Sequence, residues 1–262
     1  MRVTSLCSSS KANSTYIEHE GQGILVDMGC SYKMLKDGLA KIDRSVENIS
    51  AVFITHEHSD HIAGLMQLTK NTEIPVYASE GTLMRIVGEK KVFSEKNLHT
   101  TAELSSVPLN FAVNAFHTPH DSAESMGYTF DTGSVRAAVC TDIGHITEEV
   151  RKNLLGCRFV LLESNYDPMM LIRNIKYPPV LKERIRSNRG HLSNPDSGVF
   201  ARELINSGTV SLLLGHLSQE NNTPETAYNN MVSSLLAVGA QVNRDYALDI
   251  AEVNGNARRI IV

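Results

Sequence analysis

The sequence lacks tryptophan altogether and holds only seven phenylalanines and eight tyrosines in 262 residues. Its four cysteines, Cys7, Cys30, Cys140 and Cys157, lie far apart and form no CxxC pair. That spacing excludes the dense disulfide scaffold of small secreted domains and points to reduced thiols. No apolar run approaches the roughly 18 residues that a membrane span requires. Met1 to Ala12 also lacks a cationic start followed by an apolar core. Neither a signal peptide nor a membrane partner is therefore expected, and the chain reads as cytoplasmic. Positive charge is not in surplus, since 25 Lys and Arg stand against 29 Asp and Glu for a net charge of −4. A protein that coats nucleic acid through bulk charge is thereby excluded, although a local basic patch is not. No repeat, low-complexity tract or Pro/Gly/Ser-rich linker interrupts the chain. A length of about 150 residues per domain allows one large domain or two small ones, and without a linker a single domain over residues 1–262 is expected.

Ten histidines stand out against this background. Histidine is the commonest metal ligand and the usual near-neutral acid or base, so their placement is the first question. Short strands are expected at Met1–Leu6, Ser14–His19 and Gly23–Asp27, and Ser31 is placed to cap a helix over Tyr32–Ile42. Ala51–Thr55 is an apolar, β-branched run that reads as a buried strand. It ends in the polar cluster His56–His61, with a helix expected at Ile62–Leu68. Further strands are expected at Ile74–Ala78, Phe111–Phe116, Gly127–Phe130, Val135–Cys140, Phe159–Glu163 and Val210–Leu214. Thr147 caps a short helix, and Pro168–Ser207 is helical with breaks at Tyr177-Pro178-Pro179 and at Gly190. A last helix near Pro224–Val238 precedes terminal strands. Strands early, helices late and polar residues at strand ends predict two stacked sheets with helices outside.

Thr55-His56-Glu57-His58-Ser59-Asp60-His61 is the most informative segment. His56 and His58 are two apart, so at the end of an extended strand both project to one side. Asp60 and His61 follow where the chain turns into a helix, and can point to a second position nearby. Three imidazoles and a carboxylate in this spacing suit a borderline divalent cation such as Zn²⁺, Mn²⁺ or Fe²⁺. One segment cannot complete two metal sites, so more ligands are sought directly after other strands. Phe116-His117-Thr118-Pro119-His120-Asp121 offers two histidines, His120 lying past the proline. Val139-Cys140-Thr141-Asp142 ends a strand with a carboxylate able to bridge two cations, and Leu213-Leu214-Gly215-His216 ends another with a histidine. His145 either faces substrate or caps the next helix. His19 and His99 are expected to be exposed.

HxHxDH, then a lone His, then TD at one strand end and GH at another, resembles the ordered signature of the metallo-β-lactamase superfamily. The resemblance covers almost the whole chain. It implies an α/β fold, an αββα four-layer sandwich in which helices flank two mixed sheets, with a dinuclear site at one edge. It also implies that His56, His58 and His120 hold one metal, that Asp60, His61 and His216 hold the other, and that Asp142 bridges them. Asp27 matches the family's early strand-end aspartate, which orders the site without being a ligand. Glu163-Ser164-Asn165-Tyr166-Asp167, Tyr177-Pro178, Gly190-His191-Leu192-Ser193-Asn194, Gly215-His216-Leu217-Ser218 and Asn221-Asn222 together are similar to the YycJ/WalJ family. That family implies a bacterial 5′→3′ DNA exonuclease tied to mismatch repair, with DNA 5′ ends as substrate and mismatch-repair proteins as partners. Tyr166 stands where the family commonly has His, and Ser8-Ser9-Ser10-Lys11-Ala12-Asn13 stands where it has a glycine-containing serine loop.

Two divalent cations about 3.5–4 Å apart suit displacement at phosphorus, and the leaving alkoxide benefits from a proton. His191 is the candidate donor, by its resemblance to the helix-start histidine of RNase Z-like nucleases, and Asp60 joins it as a catalytic residue. The alternative is that His191 serves only the cap of the following helix, which Ser193 or Asn194 begins ahead of Pro195. A helix start is also a ready phosphate seat. Arg173, Lys176, Lys182, Arg184, Arg186 and Arg189 face only Glu183 across their segment, a local surplus of five positive charges just before His191. Such a strip suits a phosphate backbone, and a solvated helical face is the bland alternative. The expected substrate contacts are Asn13, Asn165, Ser193, Arg184, Arg186 and Arg189. Competing functions are a glyoxalase II-like thioesterase or a lactonase, which use the same kind of site on carbonyls, and a non-catalytic DNA-repair adaptor.

Overall fold

Alternation with a period of two along the strands divides the apolar side chains into three layers. In a computed structural model, which describes residues 1–253 and 259–261, the strands form a seven-stranded and a six-stranded sheet. The first contains β1 (Arg2–Ser9), β2 (Ala12–His19), β3 (Gln22–Val26), β4 (Ile49–Phe53), β5 (Val76–Ala78) and β6 (Leu98–Thr100), with β13 (Arg259–Ile261) beside β1. The second runs in chain order through β7 (Ala112–His117), β8 (Met126–Asp131), β9 (Arg136–Cys140), β10 (Phe159–Glu163), β11 (Ser211–Gly215) and β12 (Ala247–Ile250). Both sheets are mixed: β13-β1-β2-β3 and β7-β8-β9 are antiparallel, whereas β3-β4-β5-β6 and β9-β10-β11-β12 are parallel.

Ile17, Ile24, Ala51 and Phe53 of the first sheet meet Tyr128, Val139, Leu161 and Leu213 of the second in the inter-sheet core. The alternate residues face outward. On the first sheet, Leu25, Val52 and Ile54 pack under α1 (Tyr32–Ala40), α3 (Leu65–Asn71) and α4 (Glu80–Gly88), through Leu35, Leu39, Leu65, Leu68 and Ile86. On the second, Cys140, Val160, Leu162 and Leu214 pack under α5 (Glu148–Leu154), α8 (Asn194–Asn206) and α9 (Pro224–Leu236). The result is the expected αββα sandwich. A fully buried Leu or Phe contributes about 1.5–3 kcal/mol, so these three layers supply most of the drive for folding. Among the described residues no helix is long and apolar enough to cross a membrane.

Several elements differ from expectation. The helix expected at Ile62–Leu68 is split into a single turn, α2 (Ser59–Ile62), and α3. Gly64 separates them because its amide donates to the Met28 carbonyl, and any Cβ there would collide with the Cys30 carbonyl. β4 starts at Ile49 and ends at Phe53, short of Thr55, because the Thr55 amide donates to the Asp27 carboxylate instead of a neighbouring strand. α4 and β6 were not anticipated. β6 is only three residues long, and α4 buries little more than Thr82 and Ile86, so neither carries a strong periodic signal. The helical stretch Pro168–Ser207 contains α6 (Pro168–Arg173), α7 (Pro179–Arg186) and α8, broken where expected. Ser31, Thr147 and Ser193 each cap a helix by accepting an amide hydrogen bond.

Backbone hydrogen bonds clamp the loop after β3: Met28 N donates to His61 O, Gly64 N to Met28 O and Gly29 N to Asn13 O. A Cβ on Gly29 would collide with the Asp60 carbonyl oxygen and lie 2.6 Å from the Asn13 amide nitrogen. Gly29→Ala is therefore expected to destabilise the fold by about 2–3 kcal/mol. In a thermal melt that lowers Tm by roughly 5 °C or more. Gly88→Ala, at a helical position with nothing within 4 Å of the added methyl, is expected to be neutral or slightly stabilising. Equal Tm values for the two variants would contradict the clamp.

Candidate metal centre

The predicted ligands gather where parallel strands of both sheets end, the edge at which open α/β sheets commonly place their sites. Three strand-end residues leave the sheets through left-handed backbone: Asp27 at φ 61, Asp142 at φ 58 and His216 at φ 57. For a side chain other than glycine this conformation costs of order 1 kcal/mol and persists only where its surroundings impose it. Thr55 holds the Asp27 carboxylate through its amide at 2.8 Å and its hydroxyl at 2.9 Å. The Ser8 hydroxyl accepts the His216 amide at 2.9 Å.

Seven side chains converge there. His56, His58 and His120 form one group of candidate ligand atoms, Asp60, His61 and His216 another, and Asp142 joins His56 and His61 in a third, each within 4.8 Å. His58 Nδ1 lies 3.3 Å from His120 Nε2, His216 Nε2 lies 3.3 Å from Asp60 Oδ2, and His61 Nε2 lies 3.3 Å from both Asp60 Oδ2 and Asp142 Oδ2. Tetrahedral ligands about 2.0–2.1 Å from a cation stand roughly 3.3–3.4 Å apart, so these separations match a shared ion. The Asp142 carboxylate turns Oδ2 to His61 and Oδ1, at 3.6 Å, to His120 Nε2, and so faces both groups. His56 Nε2 and Asp142 Oδ2 are buried and make no hydrogen bond among the described residues. An unmet buried acceptor costs about 1–3 kcal/mol, which a cation would relieve. The residues therefore fit divalent metal.

The remaining ring nitrogens fix which atom each histidine presents. His61 Nδ1 donates to Asp27 Oδ2 at 2.7 Å, His120 Nδ1 to the Gly190 carbonyl at 3.0 Å and His216 Nδ1 to Glu163 Oε1 at 2.9 Å. His56 Nδ1 lies 3.1 Å from the Thr55 hydroxyl oxygen, whose own proton goes to Asp27. Each arrangement ties down one nitrogen and leaves Nε2 free to face the others. His191 follows the same pattern, with Nδ1 donating to Glu163 Oε1 at 2.9 Å, beside the His120 and His216 rings.

The electrostatics split the cluster into two halves. Burial and the neighbouring imidazoles His61, His120 and His58 push His56 well below 6.5, and burial also lowers His120. Burial opposes charge on His61 too, but Asp27, Asp60 and Asp142 outweigh it and push that imidazole well above 6.5. His216, likewise buried but facing Asp142, Asp60 and Glu163, is pushed up to about 10. Burial would raise Asp142, yet His216, His61 and His120 hold it below its ordinary 3.8. One half keeps neutral lone pairs ready while the other demands positive charge, which is the donor set of a cation site.

The sequence-predicted residues land unevenly. His120 enters the cluster, whereas His117 is exposed and lies between Glu124 and Glu149. Asn13 is buried and donates to Asp60 Oδ2 at 3.1 Å and to Ser9 O at 2.9 Å. Asn165 is buried and donates to the His216 carbonyl at 2.7 Å, and buried Ser193 caps α8 and donates to Asp196. These three groups, expected to touch substrate, also have hydrogen-bond partners within the chain. Arg184 pairs with Asp121, and Arg189 donates to the His120 and Ser122 carbonyls. Arg186 lines a cavity of about 330 Å³ with Tyr166 and His145, the latter bonded to the Asn188 carbonyl rather than capping a helix. His19 and His99 are half-buried rather than exposed, His99 stacking on Tyr77.

The residue that sequence reasoning missed is Glu163. It is fully buried, takes His191 and His216 on Oε1, and accepts the Ile143 and Leu192 amides on Oε2 at 2.8 and 3.1 Å. Against the cost of burial, these two imidazoles hold its carboxyl well below 4.5. The signal was present: an acid closing the otherwise apolar strand Phe159–Glu163, in the strand-end position shared by Asp142 and His216. Glu163→Gln keeps the size and removes the charge. It is expected to weaken Zn²⁺ affinity about 10- to 100-fold with the fold intact, as read by competition with a chromogenic chelator. Unchanged affinity would contradict this role.

Comparison with known proteins agrees with this geometry. The family described as "Beta-lactamase superfamily domain" matches residues 23–212. Exodeoxyribonuclease YycJ of Bacillus anthracis is 33% identical over 230 residues, covering 85% of this chain and 84% of that protein. Exodeoxyribonuclease WalJ of Streptococcus pneumoniae is 32% identical over 245 residues, covering 92% and 90%. Among solved structures, Zn²⁺-bound PqqB of Methylobacterium extorquens superposes with a TM-score of 0.72 over 100% of both chains at 16% identity, a likeness of fold. With the family match over most of its length and two relatives aligned nearly end to end, the chain belongs to the metallo-β-lactamase superfamily of metal-dependent hydrolases, in the family that includes YycJ and WalJ.

Proposed function

We propose that the protein is a dinuclear metal-dependent phosphodiesterase, a DNA exonuclease that removes nucleotides from 5′ ends in the cytoplasm and serves mismatch repair. The observation that carries this reading is the pair of ligand groups sharing Asp142, with His191 held beside them by Glu163. His56, His58 and His120 would hold one cation and Asp60, His61 and His216 the other, with Asp142 available to both; Zn²⁺, Mn²⁺ and Fe²⁺ all suit these donors. Such cations supply charge for the phosphoryl oxygens and a source of hydroxide near neutral pH.

The chain's own groups do the rest. Asn13 and His61 orient Asp60, whose side chain is 19% exposed and so reaches the open side of the site. Glu163 fixes the Nδ1–H of His191, which leaves Nε2 to deliver a proton to the leaving oxygen. His191 is 17% exposed, against 2% for His216, so it is the accessible imidazole of the pair. The names of YycJ and WalJ support DNA as the substrate and an exonuclease as the activity. A thioesterase or lactonase would leave His191 and the basic segment before it without a task. The intact ligand set speaks against a non-catalytic adaptor.

Purified protein with Mn²⁺ or Zn²⁺ is expected to shorten 5′-phosphorylated duplex DNA, and Asp60→Ala or His61→Ala to abolish this. Full-rate digestion by either variant would sink the ligand assignment. His191→Ala is expected to slow turnover by about 10²-fold or more with bound metal unchanged on elemental analysis. Loss of metal from that variant would make His191 a ligand and not a proton donor.

A further inference from the structure

Between β10 and the turn that carries His191, the chain projects an arm made of α6, the Asn174–Pro178 turn and α7. It has a small core of its own, Tyr166, Leu171 and Ile185, with Tyr177 and Leu181 packed against it. Its joints are fixed. Asp167 caps α6, Asn174 Nδ2 donates to Asn221 Oδ1 at 2.7 Å, and Lys176 Nζ pairs with Glu220 at 2.8 Å. At the other end Arg184 pairs with Asp121, and the His191 amide donates to the Ile185 carbonyl at 2.9 Å. The arm is thus bolted to the loops that carry His120 and His191.

Yet its outer side is apolar. Ile175 is 99% exposed, Val180 76%, Ile172 52% and Met169 51%. Clustered exposed side chains of this size mark a surface that meets a partner. Around them Arg173 and Arg186 have no carboxylate partner among the described residues, and Lys182 donates only to the Ile172 carbonyl. Glu183 is the one acid of the arm's own segment. Cations beside an apolar tip complement a phosphate backbone that ends in a stacked base.

We propose that this arm is a wedge for the end of a DNA duplex. Ile175, flanked by Ile172 and Val180, stacks on the terminal base pair, while Arg173, Lys182 and Arg186 take phosphates. The proposal rests on the nuclease reading. His56, His61, His120, Asp142 and His216 are all nearly inaccessible, and the partly open side of the cluster is His58, Asp60 and His191. A phosphate therefore approaches from that side, and in the wedge reading it arrives on a strand freed from its complement. Opening a base step costs a few kcal/mol, and inserted apolar side chains commonly offset that cost. α7, which lies between Ile175 and His191 in the chain, has 8 residues and so is about 12 Å long, the span of roughly three to four stacked nucleotides.

The test compares the full-length wild type with Ile175→Ser and Ile175→Phe on three substrates: blunt duplex, duplex with an eight-nucleotide single-stranded 5′ tail, and single strand. Ile175→Ser is expected to slow initial digestion of the blunt duplex about tenfold. Tailed duplex and single strand should stay within twofold of wild type, and Ile175→Phe should restore the blunt-end rate. Equal rates on all three substrates, or an equal loss on all three, would overturn the wedge while leaving the nuclease reading intact. A wild type that digests none of them would remove both. A wild-type dimer that Ile175→Ser converts to monomer, read by light scattering, would assign the tip to a second copy of the chain and also overturn the proposal.

Discussion

Three carboxylates stand where the ends of two apolar sheets meet; the imidazoles around Asp142 and Glu163 hold those two below the usual carboxylate range, whereas burial pushes Asp27 up against its partners. Asp27, Asp142 and Glu163 are 3%, 2% and 0% exposed. A buried carboxylate left alone takes up a proton or destabilises the fold. Here Asp27 meets Thr55 and His61, Glu163 meets His191, His216 and two amides, and Asp142 meets His61, His120 and His216. The same contacts that compensate the negative charge orient four of the histidines, His61, His120, His191 and His216. Asp142 alone retains a buried oxygen without a hydrogen bond, and it is the carboxylate that faces both ligand groups.

That electrostatic constraint explains the backbone. Asp27, Asp142 and His216 sit in left-handed conformations at the ends of β3, β9 and β11, so each strand turns off its sheet as it delivers a side chain to the common edge. Apolar packing between the sheets fixes where those ends lie, with Phe53 and Tyr128 from opposite sheets in ring contact at 5.6 Å. The clamp around Gly29 then fixes the height of Asp60, and Asn13 fixes its direction. Activity in the proposed nuclease therefore depends on residues that never touch a metal.

Much of this was legible in the sequence for a plain reason. A strand buried on both faces is an apolar run, so a polar residue closing it marks a sheet edge, and His56, Asp142 and His216 all carried that mark. HxHxDH added a spacing that few other chemistries need. Spacing alone left His117 and His120 open; the resemblance pointed to His120, and the structure shows that ring buried in the cluster while His117 is exposed. Glu163 carried the same strand-end mark, but no histidine stands near it in sequence, and the acid that follows, Asp167, caps α6 instead of joining the site. Asn13, Asn165 and Ser193 look like polar contacts in one dimension, and three dimensions add that each hydrogen-bonds within the chain. The splitting of α2 from α3 and the exposure of Ile175 are likewise tertiary outcomes that no local period encodes.

In the proposed dinuclear site one carboxylate, Asp142, couples two cations. The most direct measurement is electron paramagnetic resonance of the metal-stripped protein titrated with Mn²⁺, alongside Asp142→Asn. Two ions per chain with a spin-coupled signal are expected, as ions about 3.5–4 Å apart give, with loss of that coupling in the variant. A single ion per chain, or two ions with uncoupled signals in the wild type, would contradict it.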